Sequence, residues 1–117
     1  MNDDCLFCKM VKGEIKAQEV YRDDDLIAIR DIKPVAAAHI LVIPAKHIEN
    51  LHEFAALGET ELLGKVLARA GAIGRANGRA GYRVVINEGA DAGQSVFHLH
   101  AHVLAGQAMG WPPFPAA

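Results

Sequence analysis

The sequence predicts an α+β fold: one antiparallel sheet of about five strands with one long and one short helix. Three observations predict it. Short apolar stretches suited to strands recur at 17–21, 26–30, 38–43, 82–87 and 97–106. One stretch, Glu59 to Asn77, keeps a helical period over its length, with Leu62, Leu63, Val66, Leu67, Ala70 and Ile73 on one face. The 117 residues are 51% hydrophobic, enough for one core and one domain, 1–117, whose end 107–117 is a Trp- and Pro-rich tail.

Taken in order, Cys5 to Lys12 reads as a short helix. Leu6, Phe7, Met10 and Val11 fall on one side, and Gly13 stops it. Ala17 to Tyr21 and Leu26 to Arg30 form a hairpin across the polar turn Arg22-Asp23-Asp24-Asp25. Pro34 closes the segment after the second strand, because it cannot donate to a ladder. His39 to Ile43 is almost wholly apolar, which predicts a central strand covered on both faces. Lys46 to Leu51 reads as a loop or helical turn. Thr60 is a candidate cap for the long helix, and Gly64, Gly71 and Gly74 allow close packing, with a second subunit as one candidate neighbour. Tyr82 to Asn87 is the fourth strand, and a small-residue loop, Glu88 to Ser95, leads into the fifth. In the tail, Trp111 and Phe114 are the expected anchors.

The net charge of −2 excludes broad nucleic-acid binding, which needs many Lys and Arg contacts, but leaves room for a small phosphate ligand held by backbone amides. No apolar run is long enough to span a bilayer, and Met1-Asn2-Asp3-Asp4 has no signal-peptide pattern. A cytoplasmic protein is expected. Cys5 and Cys8 then suit half a metal site or a redox pair better than a structural disulfide.

The chemistry gathers in Phe97 to Gly106. His98, His100 and His102 recur with period two, so a strand puts all three on one face and Leu99, Ala101 and Val103 on the other. His39 adds a fourth imidazole on a central strand. One metal ion shared by all three is disfavoured, since the outer two stand roughly 13 Å apart along a regular strand. Nucleophilic catalysis fits better. Imidazole attacks phosphorus well and leaves well, while neighbouring imidazoles hydrogen-bond the phosphate oxygens. The loop carrying Gly93, Gln94 and Ser95 lies just upstream, and its amides and hydroxyl suit a phosphate. Asn87 ends the neighbouring strand within reach of the same region.

Gln94-Ser95-Val96-Phe97-His98-Leu99-His100-Ala101-His102-Val103-Leu104 resembles the signature of the histidine triad family. Asp31-Ile32-Lys33-Pro34, His39-Ile40-Leu41-Val42-Ile43-Pro44, Asn87-Glu88-Gly89 and Trp111-Pro112-Pro113 resemble its nucleotide-binding branch. The resemblance implies a homodimer whose two five-stranded sheets join. It implies a ligand that is a purine nucleoside monophosphate or phosphoramidate, and hydrolysis of the latter through a nucleotidyl-imidazole intermediate. His100 would be the nucleophile, oriented by the backbone of His98. His102 would contact the phosphate oxygens, and His39 would support the row. Asn87 and Ser95 would hold phosphate and leaving group, Asp31 the ribose hydroxyls and Ile32 the base. Trp111 would lie near the partner's cleft.

The resemblance implies no cofactor for catalysis. It does imply a structural zinc on Cys5, Cys8, His47 and His98, a good tetrahedral donor set. Ala101 is small where many relatives carry a larger residue, and Gly110 loosens the tail before Trp111. The rival activities are dinucleoside polyphosphate hydrolysis and nucleotidyl transfer. A further rival is a nucleotide-binding interaction module with incidental hydrolysis.

Overall fold

A computed structural model describes residues 4–113. The acidic start Met1 to Asp3 and the expected anchor Phe114 lie outside the described residues. Helix α1 (Leu6–Lys12) is followed by strands β1 (Glu19–Arg22), β2 (Leu26–Arg30) and β3 (Ala38–Pro44). Then come α2 (Leu51–Ala56), the long helix α3 (Thr60–Asn77), β4 (Tyr82–Val85) and β5 (Ala101–Ala105). All pairings are antiparallel, in the order β1-β2-β3-β5-β4. The expected five-stranded antiparallel sheet is therefore present, with three helices instead of two.

Strand β3 sits at the centre, and its apolar run is buried from His39 to Pro44. Alternation splits its side chains between two cores. On one face, Ile40 and Val42 pack with Leu99, Ala101 and Val103 beneath Phe54, Val66 and Ala70 of the helices. On the other, Leu41 and Ile43 pack with Ile27 and Ile29 beneath Cys5, Phe7 and Cys8 of the α1 region. The sheet is thus clamped between α1 and the α2–α3 pair. No described helix is long and apolar enough to cross a membrane.

Two local expectations, the cap of α3 and the width of the helix faces, need correction; an unanticipated helix is added, and the close packing expected at the helix glycines is met within the chain. Leu51–Ala56 is a helix in its own right, begun by Asn50, whose side chain accepts the Glu53 N–H. Glu59, not Thr60, occupies the N-cap position of α3, without a side-chain cap bond. Leu6 and Leu67 are 40% and 44% exposed, so the apolar faces of α1 and α3 are narrower than their sequences suggest. Gly71 and Gly74 receive Tyr82 of the same chain: a Cβ on Gly74 would meet its ring at 2.2 Å, far inside van der Waals contact.

The fifth strand is also shorter than expected. Its ladder with β3 stops at Val42 opposite Ala101. One step on, Ile43 would face His100, and then comes Pro44, which has no N–H to extend a ladder. Leu99 instead donates its N–H to Ile48 O at 2.8 Å. His98 and His100 therefore precede the ladder, while His102 lies within it. Leu99, Ala101 and Val103 still share the opposite, core-facing side, so the alternation survives the end of pairing.

Candidate active site and metal centre

Four imidazoles have their protons placed by their partners. A carbonyl oxygen can only accept, and a backbone N–H can only donate. His98 Nε2 lies 2.7 Å from Pro44 O, so Nε2 carries the proton and Nδ1 is a bare lone pair. His100 Nδ1 lies 2.9 Å from His98 O, so its proton is on Nδ1 and Nε2 is bare. Val35 donates its N–H to His39 Nδ1 at 3.1 Å, which leaves the His39 proton on Nε2. That Nε2 lies 2.9 Å from His102 Nδ1, so His102 accepts there and presents Nε2–H outward. The expected orienting role of the His98 backbone and supporting role of His39 thus have a geometric counterpart.

Burial favours the uncharged rings. Desolvation pushes His102 down to about 4, aided by His100 and His39 and opposed by the Asp31 carboxylate. Desolvation also pushes His98 down to about 4 and lowers His100, each opposed by its backbone hydrogen bond. Phe7 of α1 packs edge-on against His100 with ring centroids 4.9 Å apart, and 6.0 Å from His98. Phe7 read as a core residue in the sequence, and nothing but its place between the cysteines hinted at this contact.

Beside the row, Cys5, Cys8, His47 and His98 bring their donor atoms within 4.8 Å of one another. His98 Nδ1 lies 3.3 Å from Cys5 Sγ, 3.5 Å from Cys8 Sγ and 3.2 Å from His47 Nδ1, and Cys8 Sγ is 3.3 Å from His47 Nδ1. Tetrahedral zinc with sulfur and nitrogen ligands has edges of about 3.3–3.8 Å. No disulfide joins the cysteines. The buried His98 aims its lone pair at the thiols and donates its other N–H to a carbonyl, as metal-bound histidines do. The residues fit a structural zinc.

Asp31 directly follows β2, and its Oδ1 accepts the Lys33 N–H at 2.8 Å while its Oδ2 lies 3.4 Å from His39 Nε2. Gln94 is buried and occupied: it accepts the Gly89 N–H and donates to Glu49 O and Val96 O, so its side chain ties the loop together. Gly93 ends the short 3-10 turn at Ala90–Ala92 with φ 92°, a backbone shape suited to glycine. Asn87 is half-buried, while Ser95 and Ile32 are exposed, Ile32 at 92%. Trp111 is 82% exposed near β4, with the Arg83 guanidinium 5.7 Å from its ring. Ile32, Asn87, Ser95 and Trp111 stand outside the hydrogen-bond and ring-contact network of the imidazoles. A cleft of about 780 Å³ lies elsewhere, lined by Asn77, Arg79, Tyr82, Arg83, Gln107 and Met109 among others, and no histidine reaches it.

Comparison with known proteins identifies the family and supports the fold. The HIT domain model matches residues 12–109. An uncharacterized HIT-like protein of Synechococcus elongatus is 46% identical over 114 residues, 97% of this chain and 99% of that one. A 14 kDa zinc-binding protein of Zea mays is 44% identical over 111 residues, 92% of this chain and 86% of that one. A crystal structure of a HIT family hydrolase from Legionella pneumophila superposes with a TM-score of 0.90 at 43% identity, covering 95% of this chain and all of that one.

Proposed function

The chain belongs to the HIT domain family, and from that premise we propose that it is a nucleotide-binding hydrolase. It cleaves the P–N bond of purine nucleoside 5'-phosphoramidates through a covalent intermediate on His100. One observation carries this reading. His100 holds its proton on Nδ1 against a carbonyl, which leaves Nε2 bare, while its neighbour His102 presents an N–H. A bare nitrogen beside a fixed donor is what attack at a phosphoryl group requires.

In this reading His100 Nε2 attacks the α-phosphorus and the P–N bond breaks. The leaving nitrogen takes a proton from solvent and departs as the amine, and the hydrolytic water later returns that proton. Water then displaces the imidazole, so that OH is added to phosphorus and H to nitrogen overall. His102 donates Nε2–H to a non-bridging oxygen as charge builds there. Burial keeps His100 uncharged, hence nucleophilic, below the ordinary histidine range. Ser95 and Asn87 border the phosphate, on a loop whose shape Gly93 and Gln94 hold, while Asp31 takes the ribose hydroxyls and Ile32 lines the base. Bound zinc would be a structural tie between α1 and the histidine segment, with no part in the bond changes. Among the described residues β4 is an edge strand; a second copy of the chain is the partner proposed for it, with Trp111 near that partner's cleft.

The test is a substrate panel on the wild-type protein, with adenosine and guanosine 5'-phosphoramidates beside dinucleoside polyphosphates and a nucleotidyl acceptor. Phosphoramidates should turn over fastest, with a loss of about 10³-fold or more in His100→Ala. Undiminished turnover by that variant rejects the nucleophile. Faster cleavage of dinucleoside polyphosphates, or transfer that outruns hydrolysis, moves the protein to another activity of the superfamily.

A further inference from the structure

Asp31 does more in this structure than border a ligand. Its two oxygens have different occupations. Oδ1 accepts the Lys33 N–H at 2.8 Å and so shapes the turn after β2. Oδ2 faces inward, 3.4 Å from Nε2 of the buried His39. That Nε2 must carry its ring's proton, because Val35 N–H already occupies Nδ1. One N–H therefore lies between two acceptors, His102 Nδ1 at 2.9 Å and the carboxylate. The backbone N–H of Asp31 is tied in turn to His39 O at 2.9 Å, which holds the carboxylate in register with the ring.

Resting on the hydrolase reading above, we propose that Asp31 is a positioning residue of the reaction. Its carboxylate holds His39 with Nε2–H toward His102, and so fixes which nitrogen of His102 faces the phosphate. The line of control runs Asp31, His39, His102, with Val35 N–H closing the other side of His39. The carboxylate has a second effect along the same line. Its negative charge favours the protonated form of His102 against the cost of burial, so it supports positive charge on that ring when a phosphate proton is shared. A carboxylate that contacted ribose alone would not need to face a buried imidazole.

The chemistry of Asp31→Asn separates the two roles. The amide oxygen still accepts the Lys33 N–H, so the turn is kept. The amide NH₂ then points at His39 Nε2–H, donor against donor. Asp31→Ser is the second variant: its hydroxyl can serve the turn but is too short to reach His39. Each is assayed with adenosine 5'-phosphoramidate and with its 2',3'-dideoxy analogue, which has no ribose hydroxyls to bind.

A positioning role predicts a fall in kcat of about tenfold with both substrates, below the 10²–10⁴ of a directly acting acid or base. It also predicts changed ring-nitrogen signals of His39 and His102 in ¹⁵N NMR of the ligand-free protein. A ribose-only role predicts a KM effect with the ribose substrate, none with the dideoxy analogue, and unchanged ring-nitrogen signals; that result overturns the proposal. If wild-type protein cleaves neither substrate, the hydrolase reading fails by itself. The ring-nitrogen signals then still decide, since an unaltered His39 and His102 pattern in both variants overturns the positioning role.

Discussion

Two clusters of this molecule resemble each other in composition and differ in what they can do. Cys5, Cys8, His47 and His98 form one, and Asp31, His39 and His102 the other. In both, the potential ligand atoms lie within 4.8 Å of one another. The difference lies on the far side of one ring in each. His98 gives its Nε2–H to Pro44 O, so a lone pair faces the cysteines. His39 gives its Nδ1 lone pair to Val35 N–H, so a proton faces His102 and Asp31. A ring that turns a lone pair inward makes a cation site. A ring that turns a proton inward makes a hydrogen-bond relay. A backbone carbonyl against His98 and a backbone N–H against His39 are enough to give the two clusters opposite inward-facing groups.

The sharpest way to break this comparison is to remove one imidazole from each cluster. His47→Ala should lose the metal, falling from about one zinc per chain to almost none. The melting temperature should drop by more than about 10 °C, as for the loss of several kcal/mol in a domain this size. Metal analysis and calorimetry on protein purified without chelator read both quantities. His39→Ala should keep its zinc and lose less stability than His47→Ala, through two hydrogen bonds and the space left by a buried ring. Equal zinc loss in the two variants would erase the distinction drawn from the ring protons.

The catalytic effects should fall the other way. With its support removed, His102 can turn either nitrogen to the phosphate, and His39→Ala should lose about 10²-fold in kcat. The loss should appear with phosphoramidates of any base, because His39 stands behind the row and not beside the nucleobase. A loss confined to KM would place His39 in ligand binding.

The five strands, the long helix and the burial of β3 were legible because they rest on local periodicity, whereas the order β1-β2-β3-β5-β4 depends on contacts distant in sequence. Helix α2 was also signalled, by Asn50 with Glu53 three residues on, a capping pattern before a short apolar turn. It was missed because six residues hold too little period. The end of the β5 ladder follows from Pro44, a residue of another strand, and so could not be read from the histidine stretch alone. The same is true of the site. That His98, His100 and His102 share a face follows from spacing. Which nitrogen each presents depends on Pro44 O, His98 O, and Val35 N–H acting through His39. Two of those partners lie more than fifty residues from the triad and expose no side-chain signal. Gln94 shows the converse: a polar residue next to a motif invites a ligand role, and its hydrogen bonds are spent on the loop.

Acid tests the relay histidine by a smaller margin. His102 takes up its proton at about 4 in the fold, whereas a free imidazole does so near ~6.5. Between these values the unfolded chain binds more protons than the folded one. The contribution of His102 is therefore complete above pH ~6.5, declines as the pH falls, and is lost by about 4. Urea midpoints measured from pH 7 to pH 4 should decline less steeply in His102→Asn than in wild type, since that side chain does not titrate. Parallel curves would show that the relay histidine does not carry the acid sensitivity.

The smallest expected effect is the most direct test of the proton assignment. Val35→Pro deletes the one N–H that holds the His39 lone pair, at an exposed position that follows another proline. A single hydrogen bond of this kind is worth about 1 kcal/mol, so the ring gains only partial freedom to place its proton on Nδ1. Turnover should fall about fivefold. Whenever the proton moves, His39 Nε2 and His102 Nδ1 turn lone pairs toward each other with the Asp31 carboxylate alongside. That is a donor set of the kind the cysteine cluster already has. The variant should accordingly take up a second equivalent of zinc at concentrations that leave the wild type at one. If turnover and zinc stoichiometry both stay as in the wild type, the backbone N–H at Val35 does not set the direction of the relay. The contrast between the two clusters would then have to come from burial alone.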